Sequence, residues 1–219
     1  MTNGHRQLVS ITHDTALLEG LLALPPDPVG MVLFAHGSGS SRQSPRNNAV
    51  AAALREVGLG TLLLDLLAED ENPDTAARFN IALLVRRLGA AADWLADFSL
   101  TRHLPLGLFG GSTGAAAALS LAAERPDRVR AVVARGGRPD LADPAVLPAV
   151  RAPTLLIVGA LDTEVLALNH GALDQLQCEK RLVVIPDASH LFEEAGRLEM
   201  VAELAAQWLL RCLATPAPG

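Results

Sequence analysis

The sequence predicts an α/β fold, one mostly parallel sheet with helices on both faces, on three observations. Short apolar runs recur with little polar interruption, as strands buried on both faces require. Ala-rich amphipathic stretches separate them and are long enough for the crossovers that parallel pairing needs. Gly-rich turns follow several of the runs, at the strand ends where open α/β sheets gather their ligands.

In chain order, Gln7 to Thr12 and Ala16 to Leu24 alternate in polarity and read as a hairpin turning at His13-Asp14-Thr15. Beyond Pro25-Pro26-Asp27-Pro28 the apolar runs begin. Strands are expected over Gly30 to Ala35, Gly60 to Leu64, Leu104 to Phe109, Val129 to Ala134, Thr154 to Val158 and Arg181 to Ile185. Helices are expected over Asn47 to Val57, Thr75 to Asp97, Thr113 to Glu124, Val165 to Gln177 and Glu193 to Leu213. No internal repeat or low-complexity linker divides the chain, so 1–219 reads as a single domain. The run Ala214-Thr215-Pro216-Ala217-Pro218-Gly219 has the composition of a flexible tail.

Composition narrows the function. With 50% hydrophobic and 19% charged residues among 219, there is enough apolar material for a core, which excludes global disorder. The 18 basic and 24 acidic residues give a net charge of −6. That balance offers no footprint for nucleic-acid phosphates or anionic membranes. No uncharged apolar run approaches the length of a membrane span. The segment from Met1 to Arg6 does not lead into a secretory apolar core. Cys178 and Cys212 lack the spacing of a disulfide framework or a metal site, and a reducing, cytoplasmic setting is expected.

The chemistry-bearing turns come next. Gly110-Gly111-Ser112-Thr113-Gly114 joins a predicted strand to an Ala-rich helix. A serine at this turn projects its hydroxyl from the strand end, and the flanking glycines let strand and helix approach. The pattern alone is short enough to be an ordinary turn; its junction context makes Ser112 a nucleophile candidate. Asp162 follows the strand Thr154 to Val158, where an isolated Asp would simply cap the next helix. His190 stands in Pro186-Asp187-Ala188-Ser189-His190-Leu191-Phe192, after the last strand. Of six histidines it alone is placed beyond that strand and downstream of both Ser112 and Asp162. Serine, acid and base thus occupy successive strand ends, an order in which the acid can orient the imidazole that activates the serine. Finally, Phe34-Ala35-His36-Gly37-Ser38-Gly39 forms a Gly-rich turn suited to donating backbone N–H groups to an oxyanion. The expected donors are the Thr113 and Ser38 amides, with His36 organising the loop.

These residues make the chain resemble the α/β-hydrolase superfamily over about Gln7 to Leu213, in its compact dienelactone-hydrolase-related branch. The resemblance implies a mostly parallel eight-stranded sheet, an antiparallel second strand and a Ser112, His190, Asp162 triad, with no metal or organic cofactor. Dienelactone hydrolase itself carries a cysteine at the elbow; the serine here favours general carboxylic-ester chemistry. Many relatives insert a lid after the sixth strand, and the stretch from Arg135 to Pro153 leaves little room for one. A carboxylesterase acting on small or short-acyl esters is therefore expected.

Alternatives remain open at this level. Thioesterases and acyltransferases share the machinery. An NAD(P)-binding oxidoreductase is suggested by Gly37-Ser38-Gly39 followed by a helix, a strand and Asp65, although Arg42 replaces the third glycine. A non-catalytic small-molecule-binding module on the same fold is a further possibility. Arg42, Arg46 and Arg135 lie near the predicted site, either to clamp a substrate anion or to brace loops through ion pairs, the bracing role being the expected one. Oligomeric state is not written in the sequence.

Overall fold

The computed structural model describes residues 4–71 and 74–214. Eight strands form one sheet in the order β1-β2-β4-β3-β5-β6-β7-β8. The strands are β1 (His5–His13), β2 (Ala16–Leu24), β3 (Gly30–Ala35), β4 (Leu59–Leu64), β5 (Leu106–Gly111), β6 (Val129–Arg135), β7 (Thr154–Gly159) and β8 (Lys180–Ile185). β2 pairs antiparallel with β1 and β4, and every pairing from β4 through β8 is parallel. The expected hairpin, antiparallel second strand and eight-stranded sheet are all present.

Alternation along each strand divides the core in two. Leu33, Leu62, Leu64, Leu108 and Val132 face a layer containing α3 (Ile81–Asp97) and α4 (Thr113–Glu124). Val32, Phe34, Leu63, Phe109 and Val133 face α1 (Pro45–Glu56) and α7 (Arg197–Ala214). This two-sided burial is why β3 to β7 read as unbroken apolar runs. The β6–β7 connection holds only a 3-10 turn at Pro139–Leu141 and the short α5 (Val146–Ala149), so no lid is inserted there. The remaining helices are α2 (Thr75–Phe79) and α6 (Thr163–Gln175).

Several boundaries differ from the sequence reading. The single helix expected over Thr75 to Asp97 is broken at Asn80, whose side chain accepts the Leu83 N–H and caps α3. The last helix starts at Arg197 rather than Glu193, because Phe192 at φ +57° and Gly196 at φ +76° hold the chain in left-handed conformations. β5 runs two residues further than expected, to Gly111, which brings Ser112 directly to the strand end. The expected tail lies outside the described residues apart from Ala214, the last residue of α7.

Candidate active site

Ser112 sits between β5 and α4 with φ +51° and ψ −120°. A left-handed serine is strained, and here the turn is over-determined. Its N–H donates to the Arg135 carbonyl at 3.1 Å, and its own carbonyl accepts from the Arg138 and Ala115 amides, each at 3.1 Å. The glycines of the motif are required by close approach. A methyl group on Gly110 would lie 2.5 Å from Ala115 Cα, and one on Gly114 would collide with the Ala35 and His36 carbonyls. The strand and the first turn of α4 therefore pack backbone to backbone.

Asp162 and His190, the expected acid and base, come from adjacent loops that are stitched together by main chain. Leu161 N–H donates to the Ala188 carbonyl at 3.0 Å and Ala160 N–H to the Ile185 carbonyl at 2.9 Å. Buried Phe192 and Ala188 anchor the histidine loop in the α1/α7 layer, and Ser189 N–H donates to Glu194 at 3.1 Å. Across this seam His190 Nδ1 meets Asp162 Oδ2 at 2.6 Å, with the carboxylate side chain 15% and the imidazole 37% exposed. Asp162 stands at the N-terminus of α6 but makes no side-chain capping bond there, so its carboxylate is given to His190. Gly136 closes the space between the Ser112 turn and this pair, lying where a methyl group would be 3.4 Å from His190 Nδ1.

The two expected oxyanion donors are neighbours in an arrangement the sequence did not reveal. Ser38 N–H donates to Thr113 Oγ1 at 2.8 Å, so the amide is engaged by the other residue's hydroxyl. Thr113 N–H belongs to the first residue of α4, which has no intrahelical acceptor. His36 organises the loop as expected: Nδ1 bonds the Gly37 carbonyl at 2.8 Å and Nε2 accepts the Leu66 N–H at 2.9 Å. Both bonds are satisfied together only by the neutral Nδ1–H tautomer. Burial pushes the imidazole below its ordinary value, against smaller raising effects of the Gly37 bond and Asp65. Next to the loop, a cleft of about 490 Å³ is bordered by His36, Arg42, Asp65 and Leu67 rather than by Ser112.

The arginines divide. Arg42 pairs with Glu19 at 2.6 Å and with Asp65, which also accepts the Arg42 N–H. Arg46 pairs with Glu193 at 2.9 Å. Both brace loops. Asp65, the residue a dinucleotide ribose would need, is committed to Arg42, and α1 starts only at Pro45. Arg135 is different: it is 8% exposed, and its Nε and Nη1 are buried without a hydrogen-bond partner. Its sequence context gives no sign of this difference, since an ion pair depends on partners distant in the chain. Among the described residues no group of three or more His, Cys, Asp or Glu is arranged to hold a metal ion.

No protein-family model matches the chain. A dienelactone hydrolase from Anabaena variabilis is 55% identical and superposes with a TM-score of 0.93, over 96% of this chain and 99% of that one. The chain belongs to the dienelactone-hydrolase-related branch of the α/β-hydrolase superfamily. Within the superfamily it shares its fold with Est1E of Butyrivibrio proteoclasticus, at 18% identity and TM-score 0.82, over 95% of this chain and 99% of that one. It also shares it with a lidless α/β serine hydrolase from Xanthomonas campestris, at 23% identity and TM-score 0.77, over 96% of this chain and 97% of that one. A protein of Mycobacterium tuberculosis described as a putative phosphoribosyl transferase is 52% identical over 200 residues. That match spans 91% of this chain but 45% of the relative, so the chain covers less than half of that protein's length. Among the described residues of this α/β-hydrolase, no helix is long and apolar enough to cross a membrane.

Proposed function

We propose that the chain is a serine hydrolase that cleaves carboxylic esters, small or short-acyl ones, through an acyl-enzyme on Ser112. The observation that carries this reading is the Asp162–His190 bond of 2.6 Å, formed by loops after β7 and β8 of the same sheet whose β5 ends at the left-handed Ser112 turn. Membership in the dienelactone-hydrolase-related branch supports it. The reading takes 1–219 as one catalytic domain, because serine, acid and base follow strands of one sheet.

With Nδ1–H held by Asp162, His190 Nε2 is left free to accept a proton. It takes the Ser112 hydroxyl proton as Oγ attacks the ester carbonyl, and Asp162 stabilises the imidazolium. Thr113 N–H and Ser38 N–H receive the developing oxyanion. The charged oxygen is a stronger acceptor than the Thr113 hydroxyl, so it competes for the Ser38 amide as it forms. Collapse expels the alcohol with the His190 proton, and water then attacks the acyl-enzyme with His190 again as base. The lidless β6–β7 connection leaves the mouth open, which suits a short acyl group.

The test is labelling by a fluorophosphonate together with hydrolysis of a p-nitrophenyl ester series of rising acyl length. Ser112→Ala is expected to abolish labelling and to lower kcat/KM by at least about 10³-fold. Hydrolysis unchanged in a folded Ser112→Ala protein would sink the mechanism. Activity that rises with acyl length would overturn the short-acyl assignment, and preference for a thioester or for a non-water acceptor would make the protein a thioesterase or an acyltransferase.

A further inference from the structure

Arg135 ends β6 and continues the alternation of Ala131 and Val133, which places its side chain on the α1/α7 side of the sheet. There it is nine-tenths buried, and no acidic side chain among the described residues pairs with it. Burial lowers its guanidinium to about 10, with Arg46 adding like-charge repulsion, so it is still a cation at neutral pH. An unpaired buried charge is strongly destabilising, and the other buried arginine among the described residues, Arg87, has a bidentate carboxylate partner in Glu71. The cost at Arg135 therefore calls for a reason.

Its position supplies one. The Arg135 carbonyl accepts the Ser112 N–H, and its guanidinium lies against Gly111, where a methyl group would come 2.8 Å from Nη2. With Nη2 2.8 Å from that methyl position and successive Cα atoms about 3.8 Å apart, the charge lies within about 8 Å of the Ser112 Cα.

We propose that Arg135 is a charged positioning residue, an unpaired cation held under the serine turn so that its field favours the negative charge developing on Ser112 Oγ and the ester oxygen. An acidic partner would cancel that field. A unit charge at about 8 Å and an effective dielectric of 20 is worth about 30-fold in rate. The imidazolium formed on His190 in the same step opposes part of this, leaving about 10-fold. The inference rests on the serine-hydrolase reading above.

Arg135→Met keeps length without charge, and Arg135→Lys keeps charge on a slimmer stem. With a neutral p-nitrophenyl ester, Arg135→Met is expected to lower kcat about 10-fold with KM within about 3-fold, and to raise Tm, since an apolar side chain replaces an unpaired ion. Binding of phenylboronic acid, whose serine adduct is anionic, should weaken by a similar factor. Arg135→Lys should recover most of both losses. Unchanged kcat in Arg135→Met, a lowered Tm or failure to fold, or equal losses in the Met and Lys variants would each overturn the proposal. Ser112→Ala separates the two readings: if it is active the serine hydrolase itself fails, whereas an inactive Ser112→Ala beside a fully active Arg135→Met refutes only the role of Arg135.

Discussion

Replacing Asp162 by asparagine tests the proposed base most directly, because it changes one charge and little volume. In the native site the carboxylate accepts from His190 Nδ1 at 2.6 Å while only 15% exposed, so water screens it poorly. When the imidazole becomes cationic, charge centres about 4 Å apart at an effective dielectric of 20 attract by about 4 kcal/mol, or about 10³-fold in rate. Asparagine loses this attraction and can offer its amide N–H to Nδ1, which favours the Nε2–H tautomer and leaves no base facing Ser112. A fall in kcat of about 10³- to 10⁴-fold is expected. Folding should change little, because Asp162 makes no side-chain cap on α6 and the Leu161–Ala188 backbone bond remains. The assay is steady-state ester hydrolysis at pH 8, with Tm by calorimetry as the folding control. A folded Asp162→Asn protein with kcat within about 3-fold of the parent would refute the acid assignment.

Two further perturbations address the turn and the oxyanion loop. Gly114→Ala sets a methyl group against the Ala35 and His36 carbonyls, which are backbone and cannot rotate away; a loss of about 1–3 kcal/mol and a slower fluorophosphonate reaction are expected, and a Tm equal to the parent's would show that the strand–helix approach is looser than described. His36 is held below its ordinary value chiefly by burial, so as pH falls below about 6.5 the unfolded chain takes up a proton before the folded one does. The stability contributed by neutral His36 is thus present above that pH and is lost as pH falls through the folded value, with the Leu66 N–H acceptor. In His36→Gln the decline of Tm between pH 7 and 5 should be shallower, from a starting Tm lowered by about 2–8 °C for the bonds weakened; parallel Tm curves for parent and variant would exclude His36 as the acid-sensitive group.

Local patterns carried much of the fold and site. The apolar runs Gly30 to Ala35 and Thr154 to Val158 could be read because both faces of β3 and β7 are covered. The elbow could be read because Gly110 and Gly114 answer to a steric demand within a few residues of Ser112. Asn80 was harder: its apolar flanks continue a helical period, and only the side-chain cap on Leu83 shows that a second helix begins there. Gly196 likewise sits in a helical pattern that its positive φ interrupts.

By itself, the sequence determined the αβ alternation and the glycine-flanked turn at Ser112, and it placed Ser112, Asp162 and His190 after successive strands, because strand burial and tight turns leave periodic or short-range marks. Tertiary structure decided which groups meet: Asp162 with His190 across 28 residues, the Ser38 amide with the Thr113 hydroxyl across 75, and Arg42 with Asp65 across 23. It also decided that Arg135, unlike Arg42 and Arg46, pairs with no carboxylate among the described residues. Electrostatic partnership depends on the distance and burial of groups far apart in the chain, and these exist only once the strands are ordered in the sheet.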